Sequence, residues 1–241
     1  MSDQVMIERR FRGPSASANG GYAAGLLAAH VEGDPAVEVT LRVPPPLDRT
    51  LAVERGDSGA RLLDGDSVIA EARPSPPAEL KLPEPVSLAQ AAEARRTSFL
   101  REGAAFPGCF VCGPDREGDD GLGLVFGVVD GRELVASPFE PGAELAGAGG
   151  AVRPEIVWSA LDCPSGIAGA VVPGLGICVL GRIRASLLRP LELGREYVVI
   201  GWPIERDGRK LRSSSAIVDA ESWEPFATSL ATWIELRDQP A

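Results

Sequence analysis

Apolar positions in this chain change their spacing several times, from the three-to-four-residue interval of a helix to the two-residue interval of a strand. Small and apolar residues over 19–31 predict a helix, and the alternating segment 37–43 predicts a strand after it. The same order recurs later, with a predicted helix over 153–172 and a predicted strand over 178–188. The pattern indicates an internal duplication, in which one helix followed by antiparallel strands occurs twice.

Further strands complete each predicted repeat. The first repeat has a leading strand over 5–11 and closes on a strand over 67–72, while the second closes on a strand over 225–236. Asp-Gly pairs at 64–65 and 207–208 supply the positive φ that a tight turn needs. Each repeat is therefore expected to be a helix with a set of antiparallel strands around it.

The second repeat also has predicted strands ahead of its helix. Leu122, Leu124 and Phe126 alternate with their neighbours and predict a strand, and the Asp130-Gly131 pair predicts the hairpin turn that follows. Farther along the chain, the three serines at 213–215 are expected on the solvent face of a strand.

A proline-rich stretch separates the two repeats. Proline removes backbone donors and favours extended connections, so the segment that begins at Pro74 is predicted to end the first half. A polar run over 87–101 predicts a helix packed on the outside. The predicted organisation is a first half over 1–73, a linker with a surface helix over 74–107, and a second half over 108–241.

The first predicted helix is unusually rich in small residues. Gly25 lies in its interior, where glycine costs about 1 kcal/mol relative to alanine. This indicates a close approach of the helix to the sheet or to a ligand, with packing the simpler explanation. The predicted fold class is α+β, with two antiparallel sheets that each wrap a central helix.

The bulk composition excludes several classes of protein. Of the 241 residues, 44% are hydrophobic, which is ordinary for a soluble globular protein. A net charge of -10 argues against a nucleic-acid partner, because binding a polyanion draws on clustered Lys and Arg. The sequence shows neither a secretion signal nor a long apolar span, so a cytoplasmic protein with no membrane contact is expected.

Cys109 and Cys112 have the spacing of a metal-binding pair. A structural zinc site needs about four ligands, the chain has a single histidine, and Cys163 and Cys178 lie in other predicted elements. The sequence therefore predicts no metal site and no cofactor, and it leaves the role of the pair open.

Three segments together resemble the thioesterase superfamily in its duplicated, double hot-dog form. The resemblance as a whole covers most of the chain apart from roughly residues 75–105. The segments are Asn19-Gly20-Gly21 at a helix start, Cys109-Phe110-Val111-Cys112-Gly113-Pro114-Asp115 followed by Gly121-Leu122, and Glu155-Ile156-Val157-Trp158-Ser159-Ala160-Leu161-Asp162-Cys163-Pro164.

The resemblance implies a composite site between the two halves. In the phenylacetyl-CoA-type thioesterases that these segments resemble, a His-Gly-Gly or similar triplet opens one central helix, and an acidic residue about nine positions later lies on the partner's helix. Here Asn19 opens the first helix and Ala28 stands nine positions later, whereas Asp162 stands nine positions after Arg153. The implied arrangement is one complete site around Asp162 and one degenerate site around Arg153.

The resemblance also implies a role for each residue of the complete site. Backbone N–H groups of Gly20 and Gly21 would stabilise negative charge on the thioester oxygen. Asp162 would act as general base or nucleophile, and Asn19 would orient the thioester.

Four further residues are expected to bind substrate. Tyr22 and Trp158 would contact the substrate beside the two helices, and Arg182 and Arg184 would meet coenzyme A phosphates. The predicted activity is hydrolysis of an acyl-CoA or related thioester, by a chain that forms a homodimer. The alternative is a non-catalytic protein that binds acyl-CoA or a small acyl ligand.

Simpler explanations exist for each of these motifs. Asn-Gly-Gly is also a general turn and N-cap signal. A helical aspartate such as Asp162 is often ion-paired, or caps a turn, here the helix break expected at Cys163-Pro164. Arg182 and Arg184 are also explained as charges that protect an exposed strand edge.

Overall fold

The computed structural model describes residues 3–32, 36–116, 120–147 and 149–237. Four α-helices and eleven strands are present in these ranges. The helices are α1 Gly20–Ala28, α2 Leu88–Arg96, α3 Leu100–Gly103 and α4 Pro154–Ile167. The strands are β1 Asp3–Met6, β2 Ala36–Leu41, β3 Thr50–Gly56, β4 Gly59–Asp64, β5 Ser67–Ser75, β6 Gly127–Val128, β7 Val135–Phe139, β8 Cys178–Leu187, β9 Tyr197–Asp207, β10 Lys210–Asp219 and β11 Pro225–Glu235.

All eleven strands belong to one antiparallel sheet, in the order β1-β3-β4-β5-β2-β8-β11-β10-β9-β7-β6. The prediction of two sheets is therefore wrong. The two sets of strands join because β2 pairs with β8, with Val37 opposite Ala185 and Thr40 opposite Arg182. This pairing satisfies the backbone groups that would otherwise lie at the edge of each half.

The strand order reads alike from the centre of the sheet outward. On one side the strand that follows α1 lies innermost, and on the other side the strand that follows α4 does. Three meander strands come next in reverse chain order, β5-β4-β3 on one side and β11-β10-β9 on the other. The strands that precede each helix lie outermost. Each half therefore presents its helix to the same region of the sheet.

Helices α1 and α4 contact each other along glycines of α1. A Cβ atom on Gly21 would lie 2.5 Å from Asp162 Cβ, and one on Gly25 would lie 2.6 Å from Glu155 Cα. From Gly21 to Gly25 along α1, the contacted position on α4 moves back from Asp162 to Glu155, so the two helices run antiparallel. The close approach predicted from Gly25 is made to α4, in agreement with the packing explanation.

The apolar face of both helices closes the main core. Leu27 of α1 and Leu161 of α4 are fully buried with the inward-facing sheet residues Val39 and Ile183. Helix α2 covers a second core on the second half, where it contacts β7. The buried residues of that second core are Val86, Ala91, Ala94, Val129, Leu134, Ala136, Val198, Ile200, Ala216 and Val218.

Three local predictions differ from the structure. Residues 121–126 form no strand, because Leu122 and Leu124 donate backbone hydrogen bonds to Phe110 and Val111 of the loop that contains the cysteine pair. The predicted leading strand over 5–11 ends at Met6 and is followed by a single 3-10 turn. The serines at 213–215 are fully buried, where solvent exposure was expected.

Helix α4 continues past the expected break at Pro164 and ends at Ile167. The sheet approaches the helix closely at this point, since a Cβ on Gly201 would lie 2.1 Å from the Pro164 carbonyl oxygen. Among the described helices, none combines the length and the apolar character that crossing a membrane requires.

Gly25→Ala should destabilise the protein by about 2 kcal/mol. The added methyl group would overlap the α4 backbone, and overpacking of this kind costs about 1–3 kcal/mol. In an isolated helix the same change is favourable by about 1 kcal/mol. A lower free energy of unfolding for Gly25→Ala would therefore indicate that α1 and α4 are in contact at this position. Urea unfolding followed by circular dichroism measures the effect.

Gly103→Ala is the matched control for this substitution. A Cβ at position 103 meets no atom within 4 Å, so its stability should stay within about 0.5 kcal/mol of the parent. A Gly25→Ala protein as stable as the Gly103→Ala protein would contradict the proposed crossing of α1 and α4.

Candidate functional site

The N-terminus of α1 meets the middle of α4 at Asp162. The Gly21 N–H donates to Asp162 Oδ2 at 2.8 Å, and the aspartate is only 2% exposed. Gly21 permits this contact because any side chain there would overlap Asp162 Cβ. A carboxylate at a helix N-terminus satisfies an unpaired N–H and interacts favourably with the helix dipole. The structure therefore brings Gly21 and Asp162 together across the two halves.

Asn19 is the N-cap residue of α1. Its Oδ1 accepts a hydrogen bond from the Tyr22 N–H at 2.9 Å, and its Nδ2 donates to Cys163 Sγ at 3.7 Å. The capping explanation of the Asn-Gly-Gly motif is confirmed by this contact. Asn19 thus fixes the start of α1 beside the segment of α4 that carries Asp162.

The second carboxylate oxygen of Asp162 has no partner. Oδ1 is buried and makes no hydrogen bond within the described residues. Burial raises the pKa of Asp162 to about 7, although the hydrogen bond from the Gly21 N–H acts to lower it. The site therefore contains a buried carboxyl group with one oxygen fixed and one available. The alternative that Asp162 caps the Pro164 turn is not what the structure shows, since the carboxylate binds α1.

Gly20 lies at the more accessible end of the site and is partly exposed. A Cβ at this position would meet the side chains of Leu180 and Leu41 at 2.9 and 3.1 Å. Its N–H has no hydrogen-bond acceptor in the described part of the chain. Of the two predicted backbone donors, Gly20 is therefore free and Gly21 is bound to Asp162.

Tyr22 and Trp158 are buried packing residues in this structure. The Tyr22 ring stacks on Phe11 with centroids 4.0 Å apart and meets Phe110 edge-on at 6.2 Å. Burial raises the pKa of Tyr22 to about 12. Trp158 is 3% exposed and lies against α1 at Gly25. The contact of Tyr22 and Trp158 with substrate, expected from the sequence, stays a prediction.

The loop that contains the cysteine pair packs against the same site. Phe110 enters the aromatic cluster with Phe11 and Tyr22, and its N–H donates to the Arg12 carbonyl at 2.7 Å. Cys109 Sγ lies 3.7 Å from Cys163 Sγ on α4. The expectation that Cys163 lies far from the pair is therefore wrong, because the chain between them folds back onto α4.

The thiols of Cys109, Cys112 and Cys163 influence one another. Hydrogen bonding from Cys112 and Cys163 holds the pKa of Cys109 well below its usual range. The same contacts with Cys109 raise the pKa of Cys112 and Cys163. Cys109 is therefore the cysteine of the cluster whose thiolate form is favoured.

Arg182 and Arg184 lie away from Asp162. They alternate along β8 with Ile183, which is buried in the core beneath the helices, so they occupy the opposite face of the strand. Arg184 donates to Glu38 Oε2 at 2.9 Å, and Arg182 donates to Thr40 Oγ1 at 3.0 Å. The alternative explanation, that Arg182 and Arg184 protect an exposed strand edge, is wrong because β8 pairs with β2 on one side and with β11 on the other.

Arg182 also lines a groove of about 650 Å³ on the first half. Four other arginines and three glutamates line this groove, and several of them form ion pairs with one another. These charged residues are Glu38, Arg42, Glu54, Arg55, Arg61, Glu71, Arg73 and Arg182. The predicted contact of Arg182 and Arg184 with coenzyme A phosphates remains a prediction.

The second implied site has a different composition. Arg153 is the N-cap residue of α4, and its guanidinium lies 3.8 Å from Glu155. Ala28 is a buried apolar residue at the end of α1. The chain therefore has its buried carboxyl group at the Gly21 end of the helix pair.

No family model matches this chain, and no curated protein matches it. Solved structures do match. The "putative thioesterase II" of Thermobifida fusca YX is 11% identical, with 98% of this chain and 93% of that chain covered, at a TM-score of 0.61. The "putative thioesterase, phenylacetic acid degradation-related protein" of Ralstonia eutropha JMP134 is 19% identical over 47% of this chain and 85% of that chain, at a TM-score of 0.41. A Streptococcus mutans UA159 protein solved with acetyl CoA is 12% identical over 45% of this chain and 86% of that chain, also at 0.41.

The match to the Thermobifida fusca protein extends along nearly the whole chain and shows the fold. The chain has the hot-dog fold that the sequence resemblance implies, and the prediction is confirmed at the level of the fold. The identity of 11% assigns neither a substrate nor a site residue.

Glu38→Gln should lower the free energy of unfolding by about 2 kcal/mol at pH 7. The Glu38 side chain is 6% exposed and binds Arg73, Arg182 and Arg184 from the two neighbouring strands. Removing one partner of a largely buried ion pair leaves the other charges uncompensated, and the solvent exposure of the arginines moderates the loss. Urea unfolding at pH 7 measures it.

The Glu38 contribution should also depend on pH. Burial alone would raise the pKa of Glu38, but the hydrogen bonds from Arg184 and Arg73 outweigh it and lower the pKa below 4.5. A lowered folded-state pKa means that this stabilisation is present above pH 4.5 and is lost as the pH falls further. The stability difference between parent and Glu38→Gln should therefore shrink below pH 4.5.

Glu71→Gln provides the control. Glu71 pairs with Arg42, and both side chains are exposed, so the loss should be below about 1 kcal/mol. Equal losses for the two variants would contradict a special role for Glu38 at the β2–β8 junction.

Proposed function

We propose that this protein hydrolyses an acyl-CoA or related thioester at a composite site formed by α1 and α4. The observation that carries the proposal is the buried Asp162 carboxyl group, held across the two halves by the Gly21 N–H with its Oδ1 unpaired. The hot-dog fold supports the reaction class. The acyl group itself is identified only as a thioester of coenzyme A or a similar carrier.

Asp162 serves in this proposal as general base or nucleophile. The Gly21 hydrogen bond fixes Oδ2, which leaves Oδ1 to accept a proton from an attacking water or to attack the carbonyl carbon. Burial excludes competing solvent and strengthens electrostatic interactions at the site. The Asn19 cap contributes by holding the start of α1 at a fixed distance from the carboxylate.

The developing oxyanion would be stabilised by the N-terminus of α1. The Gly20 N–H is free to donate, and it lies at the positive end of the helix dipole. The side chains of Leu41 and Leu180 lie beside Gly20, so a thioester that approaches from its partly exposed side would have to displace them.

The second candidate function is binding without turnover. The observation that favours it is the same Gly21–Asp162 hydrogen bond, since it occupies one of the two backbone donors predicted for the oxyanion. In a binding protein Asp162 would serve only to cap α1. The two functions differ in whether the Asp162 charge is needed for chemistry.

Other features of the proposal come from the sequence. Internal duplication would make the chain a pseudo-dimer with one complete and one degenerate site. Homodimer formation and a cytoplasmic location also remain predictions.

Asp162→Asn should reduce thioester hydrolysis by at least about 100-fold, because amide nitrogen and oxygen cannot accept the proton. The shape of the side chain and one oxygen for the Gly21 N–H are kept. Free-thiol release is measured with short, medium, long and aromatic acyl-CoAs. Thermal shift with the same acyl-CoAs reports binding separately.

Asp219→Asn is the matched control. Asp219 is a buried aspartate at the end of β10 that binds Arg195 and Ser222 outside the site. Its hydrolysis rate should stay within about threefold of the parent at a temperature where both proteins are folded. Turnover that survives in Asp162→Asn would remove the catalytic role of Asp162. Binding to both proteins with no turnover by the parent would favour the second function.

A further inference from the structure

Three cysteine sulfurs converge beside the candidate site. Cys109 Sγ, Cys112 Sγ and Cys163 Sγ all lie within 4.8 Å of one another. Cys109 is 2% exposed and Cys163 7% exposed, whereas Cys112 is partly accessible. All three are free thiols. The cluster joins the loop between α3 and β6 to helix α4, over a sequence separation of 54 residues between Cys109 and Cys163.

One sulfur pair of the cluster has the separation expected in a tetrahedral metal site. Zinc binds thiolates at about 2.3 Å, so two sulfurs of a tetrahedral site are about 3.8 Å apart. Cys109 Sγ and Cys163 Sγ are 3.7 Å apart. A disulfide requires a sulfur separation of about 2.05 Å and uses only two of the three cysteines.

The loop holds its two cysteines in a rigid turn. The Gly113 N–H donates to the Cys109 carbonyl at 3.0 Å, and the Asp115 N–H donates to the Pro107 carbonyl at 3.1 Å. A Cβ on Gly113 would lie 2.4 Å from the Pro107 carbonyl oxygen, so the turn requires glycine. The Cys-x-x-Cys-Gly sequence therefore brings Cys112 back towards Cys109.

We propose that Cys109, Cys112 and Cys163 bind a zinc ion, which links the loop between α3 and β6 to α4. Three thiolates are soft ligands of the type that selects zinc. Within the described residues no fourth His, Cys, Asp or Glu atom belongs to the same 4.8 Å group, so a water molecule takes the fourth position. Binding releases the thiol protons to solvent.

The surroundings supply outer contacts for the bound ion. Asn19 Nδ2 donates to Cys163 Sγ at 3.7 Å, the type of contact that orients a metal ligand. Metal would enter from the side of Cys112, which solvent reaches. Buried cysteines that serve only packing behave as separate small apolar residues, and such packing gives no reason for three sulfurs to converge. The zinc site is independent of the proposed function and stands even if no thioester is hydrolysed.

Metal analysis of the purified full-length protein tests the site. The protein is prepared with a non-thiol reductant and analysed by inductively coupled plasma mass spectrometry, where about one zinc per chain is expected. Cys109→Ser, Cys112→Ser and Cys163→Ser should each lower the zinc content at least about tenfold. Cys178→Ser is the matched control and should keep it, since Cys178 Sγ donates to the Gly176 carbonyl outside the cluster.

Cobalt binding provides a second measurement that does not depend on the variants folding. Metal-free parent protein titrated with Co²⁺ should show thiolate-to-cobalt charge-transfer absorption and the visible bands of a tetrahedral ion, saturating at about one Co²⁺ per chain. Absence of these bands in reduced, folded parent would overturn the proposal. So would zinc that persists in all three cluster variants, or a Cys109–Cys163 disulfide in the reduced preparation.

Discussion

The structure depends on the backbone-to-backbone approach of α1 and α4. Gly21 and Gly25 remove the side chains that would hold the two helices apart. The approach places the Gly21 N–H against Asp162, so a helix-packing constraint also creates the polar contact at the centre of the candidate site. Helix propensity alone disfavours glycine in a helix interior. The glycines on this face of α1 are therefore explained by the close contact with α4.

Pairing of β2 with β8 is the second element of the same arrangement. It sets the two helices side by side on one face of a continuous sheet, and it leaves Glu38 with three arginines on the other face. The apolar face of this strand pair contributes to the core. On its charged face, the three arginines form ion pairs with Glu38. One strand pair thus separates the candidate catalytic face from an electrostatic cluster.

Much of this architecture could be predicted from local sequence pattern. Periodicity located α1, α4 and most long strands, because each has alternating or small-residue patterns that its own packing enforces. The meeting of Gly21 with Asp162 was anticipated through a family resemblance, and the structure brings these two residues together. The capping role of Asn19 is readable from sequence alone, since its partner lies three residues away.

Features that depend on distant contacts could not be predicted in the same way. Leu122, Leu124 and Phe126 have the alternation of a strand, but the backbone N–H groups of Leu122 and Leu124 bind the cysteine loop instead of another strand. Cys163 lies beside Cys109 only because α4 packs against that loop. The Cys-x-x-Cys spacing was the one available signal for this cluster. Cys163 could not be assigned to it because it lies far from the pair in sequence.

The junction of the two halves has a consequence for the order in which the chain is made. When residues 1–75 have been synthesised, β2 has no partner on its β8 side and the glycine face of α1 is bare. The roughly 110 residues that separate β5 from the end of β8 take about 5 to 20 s to translate. For that time the nascent first half presents an open strand edge and an uncovered helix, which are the features that molecular chaperones recognise and that promote association between neighbouring chains.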